Sequence, residues 1–314
     1  MRDLRIVFMG TPDFAVAILD QLIKSKYTVV GVITAPDKPA GRGRKLNESA
    51  VKKYALNHSL PILQPTNLKS EDFLKELKDL KANLQIVVAF RMLPKIVWNL
   101  PEFGTFNLHA SLLPAYRGAA PIHWTIINGE KTTGVTTFFL DDKIDTGAII
   151  LQKECAIGDD ETVGELHDRL MYLGAEVVLS TLELIQKGPV KTQDQPVKEE
   201  KTAYKLFPEN CQIDWNDSLD AIYNKIRGLN PFPAAWTNLS NGNEVIPVKL
   251  YKVSKQYEVH NNPIGSIKST KKELQVAVSN GYLCIHELKL SGKKQMDVQS
   301  LLNGFNLSSQ AKMV

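Results

Sequence analysis

Apolar residues in the first half of the chain come in short continuous runs, and the stretches between them repeat near every third or fourth position. Residues 4–9 form one such run, and Gly10-Thr11-Pro12-Asp13 makes a turn behind it. Phe14, Ala17, Ile18, Gln21 and Leu22 then fall at helical spacing, and residues 27–34 are rich in β-branched side chains. Strand, turn, helix, strand is a βαβ unit, the connection that joins parallel strands. Residues 84–90 read as a further strand, buried on both faces. Two more are expected at 104–108 and 134–140, with a helix between them from about Pro121. The first 150 or so residues therefore predict an open, doubly wound, mostly parallel α/β sheet of the Rossmann-like kind.

The texture then changes. An amphipathic helical pattern over 163–186 is ended by Gly188-Pro189, and polar residues around Pro196 read as a linker. After a helix near 218–227, short strands are expected at 235–239, 245–253, 265–268, 274–279 and 282–290. Close spacing of short strands predicts a small β-barrel or sandwich. The expected division is 1–189, a linker at 190–205, and a smaller domain at 206–314.

Composition narrows the classes. With 314 residues and 43% hydrophobic content the chain can bury two cores. There is no run of 18 apolar residues, so no membrane span is expected. The N-terminus enters strand-like sequence directly, and no secretory signal is expected. Cys155, Cys211 and Cys284 lie far apart and are odd in number, which fits a reducing cytoplasm and small hydrophobes rather than reactive thiols. Residues 1–204 carry 25 Lys/Arg and 25 Asp/Glu, whereas 205–314 carry 13 and 9. The whole net charge of +4 thus falls in the last third, an excess compatible with weak attraction to RNA and equally with an ordinary soluble surface.

Candidate chemistry sits at the end of the run 104–108. Period-2 alternation sends Asn107 and His109 to one face. An amide donor beside an imidazole suits acyl chemistry, in which an oxyanion forms and a proton moves. Asp145, in Asp145-Thr146-Gly147, supplies a carboxylate that could complete the set. The plainer readings are a buried His satisfied by a carbonyl, an Asn that caps a loop, and an Asp that builds a turn. Placement favours chemistry, because ligands bind at the carboxyl ends of strands in this architecture. Other enzymes fit less well. Gly10-Thr11-Pro12-Asp13 lacks the G-x-G-x-x-G fingerprint, and Ser111 lacks the glycines of a nucleophile elbow. No Walker loop or H-E-x-x-H is present, so no metal is expected.

The run 106–122, with 141–152, resembles the signature of the folate-dependent formyltransferases. Gly10-Thr11-Pro12-Asp13-Phe14-Ala15, the loop Pro36-Asp37-Lys38-Pro39-Ala40-Gly41-Arg42-Gly43-Arg44-Lys45-Leu46, Ile213-Asp214-Trp215 and Gly228-Leu229-Asn230-Pro231-Phe232-Pro233 extend the resemblance over nearly the full length. They favour the members that act on tRNA over relatives acting on purine precursors and nucleotide sugars. The resemblance implies a catalytic domain followed by a β-barrel of the oligonucleotide-binding (OB-like) type. It implies transfer of a formyl group from 10-formyltetrahydrofolate to the α-amine of initiator methionyl-tRNA. Asn107 and His109 would then bind the oxyanion, and a His109–Asp145 pair would exchange the proton, with Asp145 fixing the tautomer. Which of the two is the formal base stays open.

The same resemblance assigns Ser111, Leu112, Leu113 and Pro114 to folate contact. It assigns Arg42, Arg44 and Lys45 to tRNA binding. Arg91 departs from the Tyr-Gly-type pair expected in the opposite wall of the folate pocket. A cytoplasmic monomer is expected. Two other classes remain at this point: a formyltransferase or formyl-folate hydrolase acting on a small molecule, and a non-catalytic RNA-binding protein on the same scaffold.

Overall fold

Six strands of a seven-stranded sheet run in one direction and one runs against them. The order across the sheet is Ile149–Ala156, Thr132–Phe139, Thr105–His109, Leu84–Val88, Arg5–Gly10, Thr28–Ile33, Ile62–Leu63. The computed structural model describes residues 1–40, 45–196 and 201–314, and it divides into two compact units. The sheet belongs to the first, which comprises Met1–Gly118, Thr132–Ala156 and His167–Thr202. The second comprises Ala119–Lys131, Ile157–Leu166 and Ala203–Val314.

The central strands are apolar on both faces, as a sheet covered on both sides requires. Every residue of Leu84–Val88 is buried, and so are the last five of Arg5–Gly10. The helix Asp13–Lys24 buries Phe14, Ala15, Ile18, Leu19 and Leu22. The expected stripe included Ala17 and Gln21, which are only half-buried; Ala15 and Leu19 take their place. Arg2 donates to the carbonyls of Ile185 (3.2 Å) and Gly188 (2.9 Å), satisfying orphan acceptors where the helix Val163–Lys187 ends.

The structure departs from the expected topology beyond Thr105–His109. The predicted helix is real, over Pro121–Ile127, and belongs to the second unit. The next strand, Thr132–Phe139, is antiparallel to Thr105–His109, pairing His109 with Thr136. An antiparallel neighbour needs no helical crossover, which frees residues 119–131 to pack elsewhere. Ile149–Ala156 pairs antiparallel with Thr132–Phe139 and was not foreseen, because Gln152, Lys153 and Glu154 interrupt its apolar alternation at an exposed edge. The stretch read as a linker is hydrogen-bonded: Gln193 and Ile149 exchange both backbone bonds, at 2.8 and 2.9 Å.

The second unit is a nearly closed antiparallel barrel. Its strands follow the order Ile267–Ser269, Leu274–Val278, Gly281–Leu290, Glu244–Tyr257, Ala235–Asn241, Lys312–Met313. A bridge from Ser266 to Lys312 and a bond from Met313 N to Gly265 O (2.8 Å) bring the two ends together. The helix Leu219–Leu229 is capped by Ser218, whose Oγ accepts from Ala221 N at 3.2 Å. It lies against Pro121–Ile127 so closely that a Cβ on Gly228 would stand 2.7 Å from the Ile127 side chain and 3.0 Å from its backbone nitrogen. Ile213 and Trp215 sit in the barrel core, and Trp215 Nε1 donates to Thr237 Oγ1 at 2.9 Å. Cys211 is buried there too, and burial pushes its thiol up; Cys155 and Cys284 are half-buried. Among the described residues no helix is long and apolar enough to cross a membrane.

Candidate active site

Thr105–His109 is a central strand whose last residue delivers His109 to the carboxyl edge of the sheet. His109 is buried, with 6% of its surface exposed. Its Nε2 lies 2.8 Å from the carbonyl oxygen of Tyr116. A carbonyl only accepts, so Nε2 carries a proton and Nδ1 is the atom left to react. Nδ1 is 3.8 Å from Asp145 Oδ2. That is an ion-pair separation too wide for a direct hydrogen bond, and one water or amine can bridge both atoms. The tautomer is thus set by the Tyr116 carbonyl, not by Asp145 as the sequence reading expected.

Asp145 is itself held tightly. Its Oδ2 accepts from Gly118 N at 2.9 Å. Its φ of 55° is left-handed, a region that residues with a Cβ enter rarely and Asp more readily than most. Gln195 stabilises that turn by donating from Nε2 to the carbonyls of Asp145 (3.0 Å) and Gly147 (2.8 Å). The Oε1 of Gln195 accepts from Arg117, at 3.1 Å from Nε and 2.7 Å from Nη2. The buried Arg117 guanidinium therefore orients Gln195, which fixes Asp145. Gly147 permits the turn: a Cβ there would collide with the Phe139 carbonyl.

Asn107 shares the face of His109 and is half-buried, and its side chain has no hydrogen-bond partner among the described residues. It is an unengaged donor beside the pair. Ser111–Pro114 form a bend stitched to the neighbouring strand. Thr136 Oγ1 donates to Ser111 O (2.6 Å) and accepts from Leu113 N (3.1 Å) and from Gln152 Nε2 (2.9 Å). Ser111 is buried with its Oγ donating to Ala115 O at 2.7 Å, and Leu113 is buried against Phe138 and Ile149. Leu112 and Pro114 are half-buried. Arg91 donates to the carbonyls of Pro65 and Thr66, an anchorage that accounts for a charged residue at its position.

Arg42 and Arg44, and the side chain of Lys45, lie outside the described residues. The strands Lys38–Ala40 and Lys45–Asn47 that bracket them pair antiparallel. Among the described residues no group of three His, Cys, Asp or Glu is placed to hold a metal ion. Residue-by-residue reading did not single out Arg117, Thr136, Gln152 or Gln195. Arg117 stood inside a quoted run, so proximity was its signal. Gln195 had none, because an isolated Gln among alternating polar residues looks like solvent-exposed chain.

The chain is a formyl-transferring enzyme by family: the family model "Formyl transferase" matches residues 4–182, and "Formyl transferase, C-terminal domain" matches 205–306. A methionyl-tRNA formyltransferase of Flavobacterium johnsoniae is 60% identical over 314 residues, which is 100% of both chains. One from Flavobacterium psychrophilum is 56% identical over 313 residues, 99% of each. The chain belongs to the methionyl-tRNA formyltransferase family. Among solved structures, HypX from Aquifex aeolicus in complex with tetrahydrofolic acid superposes with a TM-score of 0.65 at 17% identity, over 96% of this chain and 47% of that longer one. That likeness is one of fold.

Proposed function

We propose that this enzyme moves the formyl group of 10-formyltetrahydrofolate onto the α-amine of methionine carried by initiator methionyl-tRNA, with Asn107, His109 and Asp145 as its catalytic groups. The amine attacks the formyl carbon, the carbon–nitrogen bond to the folate breaks, and one proton passes from the amine to the departing folate nitrogen. A tetrahedral oxyanion develops on the way. The unengaged amide of Asn107 donates to that oxygen. The proton leaves toward the gap between His109 Nδ1 and Asp145 Oδ2, and an imidazolium formed there is balanced by the carboxylate. No metal enters the scheme.

The observation that carries this reading is the His109–Asp145 pair: one ring nitrogen is pinned on Tyr116 O and the other faces the carboxylate at 3.8 Å. Gln195 and Arg117 act as positioning residues for Asp145. Leu112 and Pro114, the more open members of the 111–114 bend, offer apolar surface to the flat pterin, while Ser111 and Leu113 shape the bend from inside. Arg42, Arg44 and Lys45 meet tRNA phosphates. The division is a catalytic domain over 1–189, a connecting segment at 190–205 and a tRNA-binding barrel over 206–314, in a cytoplasmic monomer.

The test is incubation of the purified protein with 10-formyltetrahydrofolate and charged initiator tRNA. Formyl-methionyl-tRNA is the expected product. Formyl transfer to a small amine with the tRNA untouched would overturn the assignment of substrate.

A further inference from the structure

We propose that a concavity on the barrel unit is a stacking site for one unpaired nucleotide of the RNA substrate; the inference rests on the reading of this chain as a tRNA-dependent enzyme. The cavity has a volume of about 670 Å³ and lies wholly within the second unit. That is within the range of about 300–1,000 Å³ typical of small-ligand sites and admits a nucleoside. Three aromatic rings line it: Phe207, Phe232 and Trp236. Trp236 is pinned by donation from Nε1 to the Pro208 carbonyl at 2.7 Å. Phe232 is 79% exposed and Phe207 51% exposed, so neither is part of the barrel core. Phe232 belongs to the run 228–233 that marks the family resemblance, and the chemistry at Asn107, His109 and Asp145 gives that run no role.

Charge selects the occupant. Lys249 and Lys289 line the cavity with His123, and no Asp or Glu does. Among the described residues neither lysine is ion-paired; Lys249 Nζ donates to the Pro233 carbonyl at 2.9 Å, which holds its charge at the wall. Just outside, Lys205 Nζ lies 5.3 Å from the centroid of the Phe207 ring. An apolar peptide would need the rings and gain nothing from three cations. A nucleotide uses both: its base stacks on an aromatic face whatever its identity, and its phosphates meet the lysines. The site therefore adds affinity without reading sequence.

The experiment compares the wild-type chain with Phe232→Ala, Phe207→Ala and Phe232→Tyr. Dissociation constants are measured at one fixed salt concentration for intact initiator tRNA, a single-stranded RNA tetranucleotide and its abasic counterpart. Both rings are exposed enough for truncation to leave the fold intact, which circular dichroism checks. Loss of one stacked base weakens binding by roughly 5- to 100-fold, the range expected for base–aromatic stacking. The Ala variants should show that loss for tRNA, and Phe232→Tyr should recover most of it. The tetranucleotide should bind the wild type more tightly than the abasic chain does. Unchanged tRNA affinity in both Ala variants, or equal binding of the abasic chain, overturns the stacking site while formylation by the wild type leaves the parent reading intact. A wild-type protein that neither binds nor formylates tRNA overturns the parent reading and this one with it.

Discussion

The Tyr116 carbonyl decides which nitrogen of His109 carries a proton, and this one bond leaves Nδ1 facing Asp145. Asn107, left unengaged two residues earlier, is assigned the oxyanion. Loss of one oxyanion donor typically costs about 10²–10³ in rate. Asn107→Ala should therefore lower kcat by about that factor with unchanged thermal stability, and turnover within a few-fold of wild type would remove Asn107 from the scheme. Gln195 holds the turn at one remove, through the carbonyls of Asp145 and Gly147. A displacement of about 1 Å in a catalytic group can cost about 10²-fold. Gln195→Ala should lower kcat by roughly 10- to 100-fold while the folate KM stays within about twofold. A fall in Tm with no separate change in kcat would mark Gln195 as structural only. At this level the sequence offered Asn107 and His109 as a candidate pair, because strand alternation is local, with Asp145 as the carboxylate that would complete the set. It concealed Gln195, whose partners lie 48, 50 and 78 positions away.

Among the elements, the parallel strands were legible because burial on both faces leaves nearly continuous apolar runs. Direction was not legible. Thr132–Phe139 reads like its parallel neighbours, and only the path of residues 119–131 makes it antiparallel. Ile62–Leu63 and Lys312–Met313 are two-residue strands, too short for any period to register. The contact between Pro121–Ile127 and Leu219–Leu229 depends on Gly228 having no side chain. Overpacking of this kind costs about 1–3 kcal/mol. Gly228→Ala should accordingly melt the barrel unit earlier in calorimetry, whereas Gly304→Ala, with nothing within 4 Å of the added methyl, should leave it where it is. Equal transitions for the two variants would show that the helices separate without loss.

Each of the two units carries a phenol hydrogen-bonded to a carboxylate: the half-buried Tyr54 with Asp20 at 3.0 Å, and the buried Tyr223 with Asp160 at 2.7 Å. Burial first, and the bond to the carboxylate second, push both phenols up to about 12. The unfolded phenol titrates near 10. Since the folded value is the higher, the stabilisation is whole below about pH 10 and is lost as pH rises toward 12. Urea midpoints followed from pH 9 to pH 11.5 should fall above pH 10. The double variant Tyr54→Phe, Tyr223→Phe should show a shallower fall, and identical slopes would rule these two phenols out as the cause.

What the chain determines without any fold in hand is whatever repeats or recurs locally: two domains of different texture, a mostly parallel sheet, short strands of a barrel, and a polar pair at one strand end. Those features come from backbone period and nearest-neighbour sterics, which act over a few residues. Tertiary structure alone decided the reversed strand, the hydrogen-bonded course of residues 193–195, the His109 tautomer and the lysine-rimmed cavity of the barrel. Each requires groups far apart in the chain to meet, and such encounters depend on how the whole core closes, which no local pattern records.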